Sequence, residues 1–199
     1  RVESYQKPLG RTCIHMHACI RTALHVASRA QPDVANRAEA WLRWLDTGKC
    51  LTLSMMADVA DEAMSLTRLL DTEGVDPAIL NKEVSNFNVT VSALFGDSKQ
   101  CLSVFGYTSV MMNLLREQVV WQIGGTTFSI GFEGGVPADI VDRCLGRMRS
   151  YCILARAALA AEFPCFEISQ AFHVFDASAP MPSDAEVQLH RLANPLHLD

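Results

Sequence analysis

Residues 13–19, CIHMHAC, set a cysteine or a histidine at every second position: Cys13, His15, His17 and Cys19. Thiolate and imidazole are ligands zinc takes, usually four at tetrahedral corners, so backbone geometry decides whether these four can meet. On a helix turning about 100° per residue, Cys13 and His17 share one face while His15 and Cys19 share a nearly opposite one. On a strand all four would line one face but span about 20 Å. Either way the stretch supplies at most a half-site, Cys13 with His17, needing two more ligands from elsewhere. The simpler reading places Cys13 and His17 on the apolar face of a helix and turns His15 and His25 toward solvent.

Other groups can be weighed in the same way. Asp58, Asp61 and Glu62 fall at i, i+3 and i+4, so their carboxylates lie side by side on a helix, an arrangement suited to metal binding or acid–base work. No histidine accompanies them at ligand spacing, and they read as a solvated face. None of the seven cysteines (13, 19, 50, 101, 144, 152 and 165) occupies a recognisable nucleophile elbow or helix-N-terminal setting. The IGG and GFEGG stretches lack the strand, Gly-rich turn and helix order of a phosphate loop. No catalytic constellation and no cofactor are expected. The aromatic residues Trp41, Trp44, Trp121, Phe87, Phe95 and Phe105 could form a binding surface, but most of them read as core; Trp41 and Trp44, at spacing three, would still make a partner-facing ridge.

Helices must position almost all of these groups. Cys13, His17, Ile20, Leu24 and Ala27 step by three and four, predicting a helix from Arg11 to about Ala30. Pro32 restarts the chain with Asp33 as a cap for a helix carrying Ala40, Trp41, Trp44 and Leu45, ended or bent at Gly48. Residues 50–71 give the strongest period, with Leu51, Met55, Val59, Ala63, Leu66 and Leu70 on one face and Asp58, Asp61, Glu62 and Arg68 largely elsewhere. A break at Gly74 and Pro77 precedes a helix over 77–95, and another is expected from about Ser98 to Gln118, with Gly106 weakening it or marking a close approach. VVWQIGGTTFSIGF reads as a hairpin near 119–132. Pro137 and Asp139 open a helix to about Glu162 with Ile140, Cys144, Met148, Tyr151, Ala155 and Leu159 on its stripe. A helix or two short turns follow Pro164, and Ser183 caps a last helix stopped before Pro195.

The predicted fold class is mainly α, a multi-helix globular domain with one small β-hairpin. It divides into a basic N-terminal helical segment, residues 1–36, and a helical domain, residues 37–199. The 199 residues suffice for one domain with its own core, and 49% hydrophobic with 20% charged residues suits a globular protein with no membrane span. An odd number of scattered cysteines suggests free thiols in a reducing compartment. The net charge of −5 divides unevenly: residues 1–50 hold eight Lys/Arg against four Asp/Glu, +4, leaving −9 for the rest. Such an acidic bulk makes a poor nucleic-acid binder, although the basic segment could reach toward one. The start at Arg1, with no secretory signal, is read as a cut in a longer chain.

Two blocks carry a resemblance to a known family. AWLRWLDTGKCLTLSMMADVADEAMSLTRLLDTEGVD, residues 40–76, resembles the helical region of hAT-superfamily DNA transposases and of the domesticated genes derived from them. The match rests on Ala57, Asp58, Val59, Leu66, Thr67 and Leu70, with Leu69 and Leu70 where the family usually shows Phe-Gln or Leu-Gln. The second block, residues 162–192, is similar to a later segment of that family through Phe163, Pro164, Ala171, Phe172, Phe175, Asp176 and Pro180. Together they span most of residues 37–199. The resemblance implies a nuclear, nucleic-acid-associated protein. The family's catalytic acids rest on RNase H-like strands outside this helical region, so none is carried over, and Cys-x-His-x-His departs from the family's Cys-x-x-His element. The expected function is a non-catalytic interaction or architectural domain with a protein partner or a second copy of itself, nucleic acid being contacted through other parts of the chain. The rival readings are a self-assembling helical scaffold, viral or cytoplasmic, joined through aromatic helix faces, and an enzyme using Cys/His or metal chemistry.

Overall fold

The computed structural model describes residues 3–72, 77–162, 171–175 and 180–196. In chain order the elements are α1 (Glu3–Ile14), α2 (Met16–Arg29), α3 (Pro32–Trp44), α4 (Thr47–Leu70), α5 (Pro77–Phe95), α6 (Tyr107–Leu114), β1 (Val119–Ile123), β2 (Thr126–Ile130), α7 (Ala138–Glu162) and α8 (Ala185–Leu196), with 3-10 turns at Gln100–Leu102 and Phe172–Phe175. The fold is mainly α, and its one small sheet is the antiparallel pair β1–β2. Gly124 and Gly125 turn that hairpin with φ of +57° and +79°, the two left-handed residues a type I′ turn requires. Trp121 faces Phe128 across the ladder, their ring centroids 6.3 Å apart.

The residues form two compact units. Among the described residues, the first comprises those up to Asp61 together with Ala93–Ser150; the second comprises those within Glu62–Ser92 and those from Tyr151 onward. Cys13, Met16 and Ile20 from α1 and α2, Leu51 and Met55 from α4, Met111 from α6, Ile130 from β2 and Leu145 and Met148 from α7 are buried in the first. In the second, Met64, Leu66, Val84, Phe87, Cys152 and Leu192 are buried.

Local chemistry explains most boundaries. The helix expected from Arg11 begins earlier, at Glu3, and divides at His15, whose φ of −109° and ψ of 26° interrupt it. Backbone bonds still cross the break, His15 N–H to the Arg11 carbonyl at 3.0 Å and Cys19 N–H to the His15 carbonyl at 2.9 Å. Gln31 is extended, as the residue before a proline must be, and α3 starts on Pro32 with Asp33 inside its first turn. Asp33 is therefore not the cap. Asp46 plays that part for α4, its Oδ1 accepting the Lys49 N–H at 2.8 Å, so Gly48 belongs to the first turn of α4 and does not end α3. The expected stripe on α7 is rotated: Val141 and Leu145 join Cys144 and Met148 in the core of the first unit, Cys152 is buried in the second, and Tyr151 is exposed. Both registers have apolar residues at helical spacing, and only packing separates them. α8 runs past Pro195 to Leu196. The Gly74 break, the turns after Pro164 over 163–170, and Asp176 lie outside the described residues.

Candidate functional site

Cys13 is fully buried, and beside it on the same side of the α1–α2 pair Met16 and Ile20 are buried too. His17 is half-buried, while His15 and His25 are exposed and Cys19 is half-buried. The four residues of the opening motif thus point to different surroundings, as helical spacing requires. His17 Nδ1 lies 4.0 Å from Glu117 Oε2, and its Nε2 is buried without a hydrogen-bond partner among the described residues. Burial, then the nearby Asp58 carboxylate, then Cys19 push the Cys13 thiol up to about 12. Cys50 and Cys101 are likewise pushed up to about 12, mainly by burial. Thiols held protonated at neutral pH are poor nucleophiles. Among the described residues no three His, Cys, Asp or Glu side chains converge as a metal-binding group, and the six described cysteines are free thiols.

Asp58 departs from its expected solvated face. It is buried, and its carboxylate accepts the Tyr107 N–H on Oδ1 at 2.7 Å and the Thr108 N–H on Oδ2 at 3.1 Å. Those are the first two amides of α6, which lack partners inside their own helix. Burial raises the Asp58 pKa, and hydrogen bonds from Thr108 and Tyr107 draw it back without cancelling the rise. Gly106 explains the approach: a Cβ there would stand 2.8 Å from Asp58 Oδ1. The expected helix over 98–118 is consequently interrupted, because Gly106 is extended and α6 begins only where Asp58 receives it. Asp61 and Glu62 remain exposed.

Trp44 is 45% exposed and Val34 is 49% exposed, while Trp41 is half-buried. With Arg37 they fall at positions 34, 37, 41 and 44, one stripe of α3. The Lys49 ammonium covers one side of Trp44, 5.1 Å from its ring centroid. Between α2 and α3 runs an open groove of about 590 Å³, lined mostly by small and apolar side chains, Ala18, Ala23, Val26, Val34, Ala38 and Trp41 among them, with Thr12, Cys19 and Thr22 beside these and Arg37 as its one charged lining residue. The sequence reading singled out Trp41 and Trp44 and missed Val34, Arg37 and the α2 side of this groove. Val34 and Arg37 repeat the tryptophan spacing toward the start of α3 and could have been found that way; the α2 side could not, since it depends on the link at Ala30–Gln31 folding α2 back against α3.

A second concavity of about 400 Å³ lies at the start of α4, lined by Thr47, Lys49, Arg143, Cys144 and Arg147 among others. Its cations are partly spent: Lys49 pairs with Asp46 at 2.9 Å and Arg143 with Asp139 at 3.1 Å. No described helix is long and apolar enough to cross a membrane. Comparison with known protein families, with curated proteins and with solved structures gives no match for this chain.

Proposed function

We propose that this chain is a non-catalytic interaction domain, working in a nuclear, nucleic-acid-associated protein of the hAT-transposase-derived kind that its two sequence blocks resemble. One observation carries the interaction reading. α3 presents Val34, Arg37, Trp41 and Trp44 along one stripe, beside an apolar groove that no described residue fills. Large apolar side chains gathered on one open face mark a binding surface more often than isolated ones do. The groups that could have done chemistry have structural surroundings instead: Asp58 receives α6, and Cys13 is packed in the core. The nuclear and nucleic-acid parts of the proposal rest on the resemblance and on the +4 charge of residues 1–50.

The test compares the partner proteins retained by the full-length protein with those retained by its Val34→Asp, Trp44→Asp variant, with circular dichroism confirming that both fold. Partners lost by the variant support the reading, and an unchanged set refutes it. A mobility-shift experiment on the chain and on its Arg21→Glu, Arg29→Glu variant, which changes two exposed cations of residues 1–50, tests the nucleic-acid part. A shift that depends on these cations and weakens steeply with salt is expected of a phosphate contact.

A further inference from the structure

We infer that the α2–α3 groove is the docking site for an acidic amphipathic helix of a partner protein, an inference resting on the interaction-domain reading above. The lining argues for apolar side chains entering it. Ala18, Cys19, Ala23 and Ala38 are small, so the two helix backbones are left shallowly covered, and Val26, Val34 and Trp41 add larger apolar surface to the lining. A helix laid along such a trough inserts residues at i, i+3 or i+4, and i+7. The lining offers a phosphate backbone few donors, the Thr22 hydroxyl and the Arg37 guanidinium above all, since Thr12 Oγ1 already donates to the Pro8 carbonyl, and most of its surface is apolar, which favours apolar side chains over a nucleic-acid backbone.

Charge selects the flanks of the guest. Arg37 lines the groove; Arg29 lies one turn beyond Val26 on α2, and Arg11 adjoins Thr12, a residue of the lining. None of these three arginines makes an ion pair among the described residues. Residues 7–44 hold six Lys/Arg against two Asp/Glu, Asp33 and Glu39, and Glu39 is engaged by Arg43 at 3.4 Å. Exposed unpaired cations around an apolar trough attract carboxylates at the flanks of a guest helix and repel basic ones. The same charge disfavours a symmetric pairing of two copies through this face, because a two-fold contact would set the basic surface against itself.

The probe is a fluorescein-labelled 18-residue helical peptide with leucines at i, i+3, i+4 and i+7 and glutamates on both flanks, titrated into the chain and followed by anisotropy. Saturable binding is expected, weakened by salt, and weakened about tenfold by Arg37→Glu while Arg37→Lys keeps most of it. Ala38→Trp, which fills the trough, should abolish it, and circular dichroism and sedimentation confirm that each variant folds. Equal binding of a scrambled peptide or of a lysine-flanked one would overturn the inference, as would no binding at all. Competition by duplex DNA would assign the basic rim to nucleic acid, and self-association abolished by Ala38→Trp would assign the groove to a second copy; each overturns it. If the peptide fails while the Val34→Asp, Trp44→Asp variant still loses its partners, the occupant is wrong and the interaction domain stands. If partner retention is also unchanged, both fail.

Discussion

Asp58 stands where burial and hydrogen bonding oppose each other. Its carboxylate satisfies two amides of α6, yet burial still lifts its pKa above the usual aspartate value. Removing the acceptor should therefore hurt: Asp58→Ala takes the acceptor from the buried Thr108 amide and from the part-buried Tyr107 amide, and should cost about 2 kcal/mol or more in urea titrations. The pH dependence has a definite sign. Between the ordinary value and the raised folded value, the folded protein holds the extra proton, so the Asp58 contribution to stability grows as pH falls through that window and is lost as pH rises through the folded pKa. Wild type should gain on Asp58→Asn as pH is lowered from neutrality; a difference that narrows would refute the sign. At the opening motif, His15 is exposed while His17 has a buried Nε2 and faces Glu117. His17→Asp should lower stability by roughly 1–3 kcal/mol more than His15→Asp, since it sets a carboxylate in a partly dry site beside another. Equal melting temperatures would contradict this. Helical spacing alone was enough to separate Cys13 and His17 from His15. Asp58 was misread because periodicity distinguishes apolar from polar positions, and it carries no sign that a polar face will meet the amides of a helix some fifty residues away.

Among the elements, glycines show what packing adds to propensity. A Cβ on Gly10 of α1 would fall 2.6 Å from the Tyr107 ring, whereas one on Gly146 of α7 would meet nothing within 4 Å. Replacing a helical glycine by alanine ordinarily gains about 0.5–1 kcal/mol. Gly146→Ala should raise the melting temperature, and Gly10→Ala should lower it because Tyr107 must move. Shifts of the same sign would mean that α1 and α6 do not meet at Gly10. The hairpin was legible because Gly124–Gly125 between β-branched and aromatic runs has few other uses, and α5 was legible from Pro77. The break between α1 and α2 was not, since no glycine or proline marks His15. The start of α4 was missed as well, although Asp46 three residues before Lys49 is the spacing by which a side-chain cap reaches an amide.

For the whole molecule, charge and surface fit together. An acidic chain carries a net +4 over residues 1–50, and the helices of that stretch hold the open apolar groove. That combination was half visible in the sequence: the +4 segment and the Trp41–Trp44 ridge were, and the groove needed α2 and α3 to be placed side by side. The central claim, that this face of α2 and α3 binds a partner helix, meets its most direct test in the indole N–H signals of a ¹⁵N-labelled sample, because the chain has three tryptophans in distinct settings. Trp41 lines the groove, Trp44 lies one turn further along the same stripe, and Trp121 is buried in the hairpin. On adding the acidic amphipathic peptide, the Trp41 signal should move most, Trp44 less, and Trp121 should stay in place. Movement of Trp121 as large as that of Trp41, or saturation with all three signals unmoved, would contradict the account.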